Sequence, residues 1–419
     1  MILIYNSFNN LFKCIIFIFF SLFLTSVYSK NVNYIESSYE FNYCLNKIEH
    51  GDVLVLKSGV YVGNFNLDKS IDVSSDGFVV ITSNNNNNIF NITSKGIKIN
   101  GLIFYNSGKY LDKKDACVYV HEDSESSCIL DNIFSECGFG VWLNGSSFNY
   151  IFKNIFIGSL NDVLSTRGNT IHIYKNNNTI VSDNFIINGR DGIYISNSQE
   201  VSISSNMFIN VRFGIHYMFS NKCNVISNII TESLIGTAIM YSKYVDLINN
   251  LIYSNVDHGL FFRDVLYSRI LVNKSLYNID GIYLGSSYYN DIINNDIIKN
   301  NIGIKVSNGS NGNLVYYNNI ISNRLQVQFL DYKTIIWNSR DSGNYWSHYI
   351  GWDLNMDNIG DKKFYITSFS DKLVSSYPIL RVMFNSPGLV LLQKIENQFP
   401  AFRKSSIIDN YPLMRPIVW

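Results

Sequence analysis

The sequence predicts an all-β protein, a right-handed parallel β-helix of about 22 residues per rung, closed by a C-terminal tail that contains a short helix. Three observations predict it. A phrase of one small residue followed by alternating apolar residues recurs between Cys117 and Ser310, as CVYV, GVWL, TIHI, GIYI, GIHY, GTAI, GLFF, GIYL and GIKV. The copies begin at Cys117, Gly140, Thr170, Gly192, Gly214, Gly236, Gly259, Gly281 and Gly303, so the step is 22 or 23 residues except for one of 30. An asparagine keeps the same step, at Asn132, Asn154, Asn184, Asn206, Asn228, Asn250, Asn273 and Asn295, each ahead of a short apolar or mixed strand. A period of this size with two or three short strands per repeat makes each repeat one turn of a solenoid. Successive rungs then stack about 4.7–4.9 Å apart.

The elements follow in chain order. Lys13 precedes the apolar run CIIFIFFSLFL, Cys14 to Leu24, and small residues follow it up to Ser29. Eleven apolar residues fall short of the roughly 20 that span a bilayer. Residues 1–29 are therefore expected to be a secretory signal peptide, so that the mature chain is exported. Residues 30–340 are expected to form the β-helix, with first rungs in Gly51 to Ser75 and Gly96 to Gly108. The asparagine run Asn84 to Asn88 reads as a loop, and the one long step marks an inserted loop near Asn161 to Arg167. Residues 341–419 are expected to be a capping loop and tail, with an amphipathic helix in Gly388 to Phe399. The mature chain keeps Cys44, Cys117, Cys128, Cys137 and Cys223, an odd number without a CxxC pair. They read mostly as small buried residues, with one disulfide expected near Cys128 and Cys137.

Register assigns the side chains to faces. Ile193, Ile195, Ile215, Tyr217, Ile239, Leu260, Phe262, Ile282, Leu284, Ile304 and Val306 form interior columns. The recurring asparagine is expected at a turn, bonding the neighbouring rung and accepting a left-handed φ. The recurring glycine is expected to permit the corner before the next strand. On the outward face His172 falls in line with Tyr194, His216, Ala238, Phe261 and Tyr283, and Met218 falls in line with Met240 and Arg263. Imidazole beside thioether suits Cu(I) and suits calcium or magnesium poorly. The same strip also fits an apolar patch under a loop, or a protein-docking surface.

Other constellations carry less. Asp353, Asn355, Asp357 and Asp361 alternate in GNYWSHYIGWDLNMDNIGD and fit either a calcium loop or a structural Asx-rich turn. Arg190 and Asp191 are neighbours at a corner and read as a surface ion pair. The chain has 33 basic and 33 acidic residues, so nothing in its charge marks a nucleic-acid partner. No GxSxG, HExxH or Walker loop is present. Carbohydrate-cleaving β-helices need clustered acidic residues on the outer groove, where this chain has Tyr, Phe, Ala and Met. A lyase or epimerase is therefore the lesser alternative to a protein that is not an enzyme.

The phrases RDGIYISNS, RFGIHYMFSN, GTAIMYSK, GNYWSHYIGWDLNMDNIGD and DNYPLMRP resemble, in that order, the NosD family of periplasmic accessory proteins of nitrous oxide reductase maturation. Asn355 and Asn358 depart from the Asp and Gly more usual in the family's loop. The resemblance implies a β-helix that handles copper without catalysis. It implies work with an ABC transporter, its permease and its ATPase, with a copper chaperone as donor and nitrous oxide reductase as recipient. Association with the membrane would be through the transporter. It favours transient Cu(I) binding at His216, Met218 and Met240, with His172 a weaker candidate, and leaves calcium at the Asp353 loop open.

Overall fold

The computed structural model describes residues 30–365 except 85–86, 161–162, 308 and 330–334, then a few residues between 386 and 395 and residues 408–418. The expected signal peptide, and most of the amphipathic run Gly388 to Phe399, lie outside the described residues.

The chain is a parallel β-helix. One side is a 12-stranded parallel sheet that starts at Phe65–Leu67 and ends at Leu325–Phe329. The strands of the other two sides belong to one 24-stranded sheet, because the long strand Asp72–Thr82 pairs with both series, Lys98–Asn100 and Ile103–Tyr105. The interior columns have the register expected of them. Ile193, Ile215, Thr237, Leu260, Ile282 and Ile304 stack one on the next, as do Ile195, Tyr217, Ile239, Phe262, Leu284 and Val306. Nearly all of these side chains are wholly buried. Each large apolar one contributes about 1.5–3 kcal/mol relative to exposure. A single rung has no second layer to bury against, so this gain exists only in the stack.

The corners differ from the sequence expectation in their mechanism. The ladder asparagines are buried and make an inter-rung chain: the backbone N–H of Asn206 donates to Oδ1 of Asn228, and that of Asn228 to Oδ1 of Asn250. The left-handed φ falls one residue earlier, at Ser205, Ser227, Asn249 and Val272. The asparagine itself is committed to the corner's hydrogen bonds, and the exposed or half-exposed residue before it carries the turn. The recurring glycines have ordinary φ; what they lack is room. A Cβ on Gly214 would stand 2.6 Å from Ile230 Cγ2 and 2.7 Å from the Gly236 carbonyl oxygen. The disulfide joins Cys117 to Cys137, with Cα atoms 5.8 Å apart, and Cys128 is free. Cys128 begins a strand of the other sheet, whereas Cys137 lies in the turn that carries the chain back over Cys117.

Both ends are closed. At the N-terminal end the helix Ser38–Leu45 is capped by the Ser37 hydroxyl, which accepts from the Glu40 N–H, and it lays Phe41 against Phe65 at 4.4 Å. At the other end the segment around Asp409 returns to the last rung. The Asp409 carboxylate accepts from Trp346 Nε1 (2.8 Å), Asn344 N (2.8 Å) and Tyr411 N (3.1 Å), and burial pushes its carboxyl above the usual range. Asn344 is also the last member of the asparagine ladder, accepting from Asn318 N. Asp409→Ala orphans buried donors and is expected to cost about 2–5 kcal/mol. Urea unfolding and faster proteolysis of the tail would show it; a variant as stable as wild type would mean that the tail does not seal this end.

Candidate metal centre

The outer face of the 12-stranded sheet carries columns of side chains set by strand register. Trp142, His172, Tyr194, His216, Ala238, Phe261, Tyr283 and Lys305 form one. Tyr174, Ser196, Met218, Met240 and Arg263 form the next. Met218 thus lies directly against Met240 on the neighbouring strand, as the sequence register requires.

His216 points away from the coil interior but is not open to water, being only 6% exposed. The Phe213 ring meets it edge-on at 4.8 Å and the Tyr194 ring at 4.9 Å. Beneath it lies Asp191, fully buried, with an Oδ2 atom 3.0 Å from His216 Nδ1. Arg212 binds the same carboxylate with both prongs, Nε to Oδ1 at 2.6 Å and Nη2 to Oδ2 at 2.7 Å. Burial alone would raise the Asp191 carboxyl, but the hydrogen bonds from His216 and Arg212 hold it below the ordinary carboxylate value. The expected surface pair of Asp191 with Arg190 is therefore replaced by a buried pair with Arg212. The reason is position: Asp191 sits one rung beneath Phe213, in a column that Ile235 continues, so it is covered from above.

A carboxylate at Nδ1 orients the ring, and in a neutral imidazole that donates from Nδ1 the lone pair sits on Nε2. That Nε2 is buried and has no hydrogen-bond partner among the described residues. Met218, half-buried, receives the Tyr194 hydroxyl at 3.5 Å on its sulfur, and Met240 beside it is also half-buried. The arrangement is a nitrogen held by a carboxylate, with one thioether two residues along the strand and a second beside it on the next.

Residues 160–351 match the family model described as "Periplasmic copper-binding protein (NosD)". A probable ABC transporter binding protein NosD from Pseudomonas aeruginosa is 36% identical over 378 residues, which cover 86% of this chain and 87% of that one. The chain belongs to the NosD family. A second protein of the same name, from Stutzerimonas stutzeri, is 34% identical and covers 86% of each chain. Among solved structures, the A-module of mannuronan C-5 epimerase AlgE6 from Azotobacter vinelandii matches 71% of this chain and 92% of its own, with a TM-score of 0.53 and 12% identity. A family 28 exopolygalacturonase from Yersinia enterocolitica gives a TM-score of 0.56 at 8% identity, over 72% of this chain and 75% of its own. Likeness at such identities speaks for the β-helix alone.

The remaining candidates, His172 and the Asp353 loop, lie apart from His216. His172 lies two rungs away in the same column, with Tyr194 between them. Its ring stacks on Trp142 at 3.6 Å, and burial lowers its pKa to about 3, so it is neutral. The Asp353 loop is remote in sequence and exposed. Asp353 accepts from the N–H groups of Asp357 and Asn358, Asp357 from Ile359, and Asp361 from Leu354. These carboxylates cap the backbone of their own loop, the pattern of an Asx-rich turn. Sequence reasoning missed Asp191 and Arg212 as parts of the His216 site. Stacking the column that contains Asp191, Phe213 and Ile235 would have placed the carboxylate among apolar neighbours, the cue for a buried, paired charge.

Proposed function

We propose that this chain is a periplasmic copper-handling protein, not an enzyme, that binds Cu(I) at His216, Met218 and Met240. It works with an ABC transporter's permease and ATPase to mature the copper centre of nitrous oxide reductase, receiving metal from a copper chaperone. The family's copper-binding description and its relatives' names as transporter-binding proteins support the wider frame. One observation carries the site: a buried imidazole whose Nδ1 is held by a carboxylate while Nε2 is left without a partner. That is how metal-ligating histidines are oriented. The thioethers supply the soft donors that favour Cu(I) over Zn(II) or Ca(II).

Copper is cargo here, and the closed imidazole sets the order of its arrival. The half-buried side chains of Met218 and Met240 meet the ion first. His216 completes the set when Phe213 and Tyr194 shift. Release reverses these steps, and a partner that moves Phe213 or Tyr194 controls it. An anaerobic Cu(I) titration against a chromophoric competitor tests the reading. The wild-type chain is expected to bind one equivalent, and the His216→Ala/Met218→Ala/Met240→Ala variant to lose at least about 100-fold in affinity, in line with removal of ligands as well as their support. Wild-type affinity in that variant would put the site elsewhere.

A further inference from the structure

Two rungs beyond His216, on the same outer face, stands a second nest with different chemistry. His258 opens the strand His258–Arg263, and the next rung brings Asp280 against it in register. His258 Nδ1 lies 2.8 Å from Asp280 Oδ2, and His258 Nε2 lies 3.5 Å from Asp257 Oδ2. One ligand atom from each of the three residues falls within 4.8 Å of the others. Asp280 is wholly buried and His258 is 9% exposed. Both are incompletely satisfied: Asp280 Oδ1 and His258 Nδ1 have no aligned hydrogen-bond partner among the described residues. The Asp257 side chain is 43% exposed, so the nest opens to solvent on that side.

We propose that Asp257, His258 and Asp280 form a second metal site, specific for a divalent transition ion of the Cu(II) or Zn(II) class. The donors decide the class. One imidazole and two carboxylates suit these borderline ions, and without a sulfur they do not suit Cu(I). The charge is also right. Lys305, from the rung after Asp280, places its ammonium 2.9 Å from Asp280 Oδ2 and so holds the position of a cation beside the carboxylate. Lys305 is a quarter exposed, and its ammonium also lies over the Tyr283 ring at 5.6 Å, so it has a place to withdraw to when an ion enters. The site is separate from the one at His216, about 9–10 Å along the stack by rung spacing. The two differ in the softness of their ligands, so the face discriminates by oxidation state and metal type.

Isothermal titration of the full chain with ZnCl2 and with CuCl2, and electron paramagnetic resonance of the Cu(II)-loaded form, test this. One equivalent of either ion is expected to bind, with hyperfine coupling to a single nitrogen for Cu(II). His258→Ala is expected to abolish that component, and Asp257→Asn, a change at a half-exposed residue that leaves folding intact, to weaken it tenfold or more. Lys305→Ala removes the competing cation and is expected to strengthen binding severalfold, which a purely structural ion pair does not predict. The variant lacking His216, Met218 and Met240 is expected to keep Zn(II) affinity, so loss of the Cu(I) reading leaves this one standing. Unchanged binding in both His258→Ala and Asp257→Asn overturns it.

Discussion

Asn228→Ala is expected to lower the stability of the solenoid by about 2–6 kcal/mol, the sum of two buried groups left without partners at about 1–3 kcal/mol each. The Oδ1 of Asn228 accepts from the backbone N–H of Asn206 and from its side-chain amide, both at 3.0 Å. Its Nδ2 donates to the Ile203 carbonyl at 3.0 Å, and also to Ile226 O and Asn250 Oδ1. The residue is fully buried, so water does not replace these bonds. Alanine strands the Asn206 N–H and the Ile203 carbonyl, both in the preceding rung, which the substitution does not otherwise touch. Urea unfolding would show a lower midpoint, and hydrogen exchange would show faster opening of the amides between Asn206 and Asn250. Lys222→Ala, at an exposed corner, is the control and is expected to change stability by less than about 0.5 kcal/mol. Equal midpoints for the two variants would mean that apolar stacking alone holds the rungs together.

Asp191→Asn is expected to act on stability and on copper together. Removing the charge leaves the Arg212 guanidinium, itself 25% exposed, without its counter-ion. Breaking a buried pair in this way costs about 3–5 kcal/mol, and the partial exposure of Arg212 reduces that to roughly 2–4. The pH dependence follows from the depressed Asp191 carboxyl. A carboxyl with a folded pKa below its unfolded value stabilises the native state above the unfolded value, near 3.9, and that contribution is lost as the pH falls through the folded value. The melting temperatures of wild type and Asp191→Asn should therefore differ most at neutral pH and draw together below about pH 4. Copper reports the second effect. An asparagine amide no longer fixes which imidazole nitrogen carries the proton, and loss of such an orienting group lowers metal affinity by about 10–100-fold. A variant that loses stability but binds Cu(I) as wild type does would show that Asp191 is structural only.

The alignment of the outer face is legible in the amino-acid sequence. The 22-residue step places Met218 over Met240 and His172, Tyr194 and His216 in one file, because in-register parallel stacking converts a sequence period directly into a spatial neighbour. Burial on that face is not legible in the same way. It depends on what the flanking column contributes, and His216 is closed by Phe213 and Tyr194, a neighbour along the strand and one across from it. The corner mechanism is hidden for a related reason. Asparagine and glycine recur at the corners, but the residue that bears the left-handed φ varies, as Ser205, Asn249 and Val272 illustrate, and so leaves no motif. The disulfide escapes sequence reasoning because separation along the chain says little once the chain has gone round: Cys117 and Cys137 are 20 residues apart yet lie one rung over the other.

The asparagine ladder also bears on how such a molecule can change size. Most members bond their counterpart 22 or 23 residues on, as Asn206 does Asn228 and Asn250 does Asn273. Along the axis, length is therefore quantised. A lineage can gain or lose a whole turn and hand each amide to an equivalent neighbour, whereas a fraction of a turn would put apolar side chains in water along every later strand. Additions of other sizes must leave sideways at a corner, as the 30-residue step from Asn154 to Asn184 does. The distance from any outer-face ligand to either end of the rod is thus a whole number of rungs, and a partner gripping an end meets that ligand only at discrete heights.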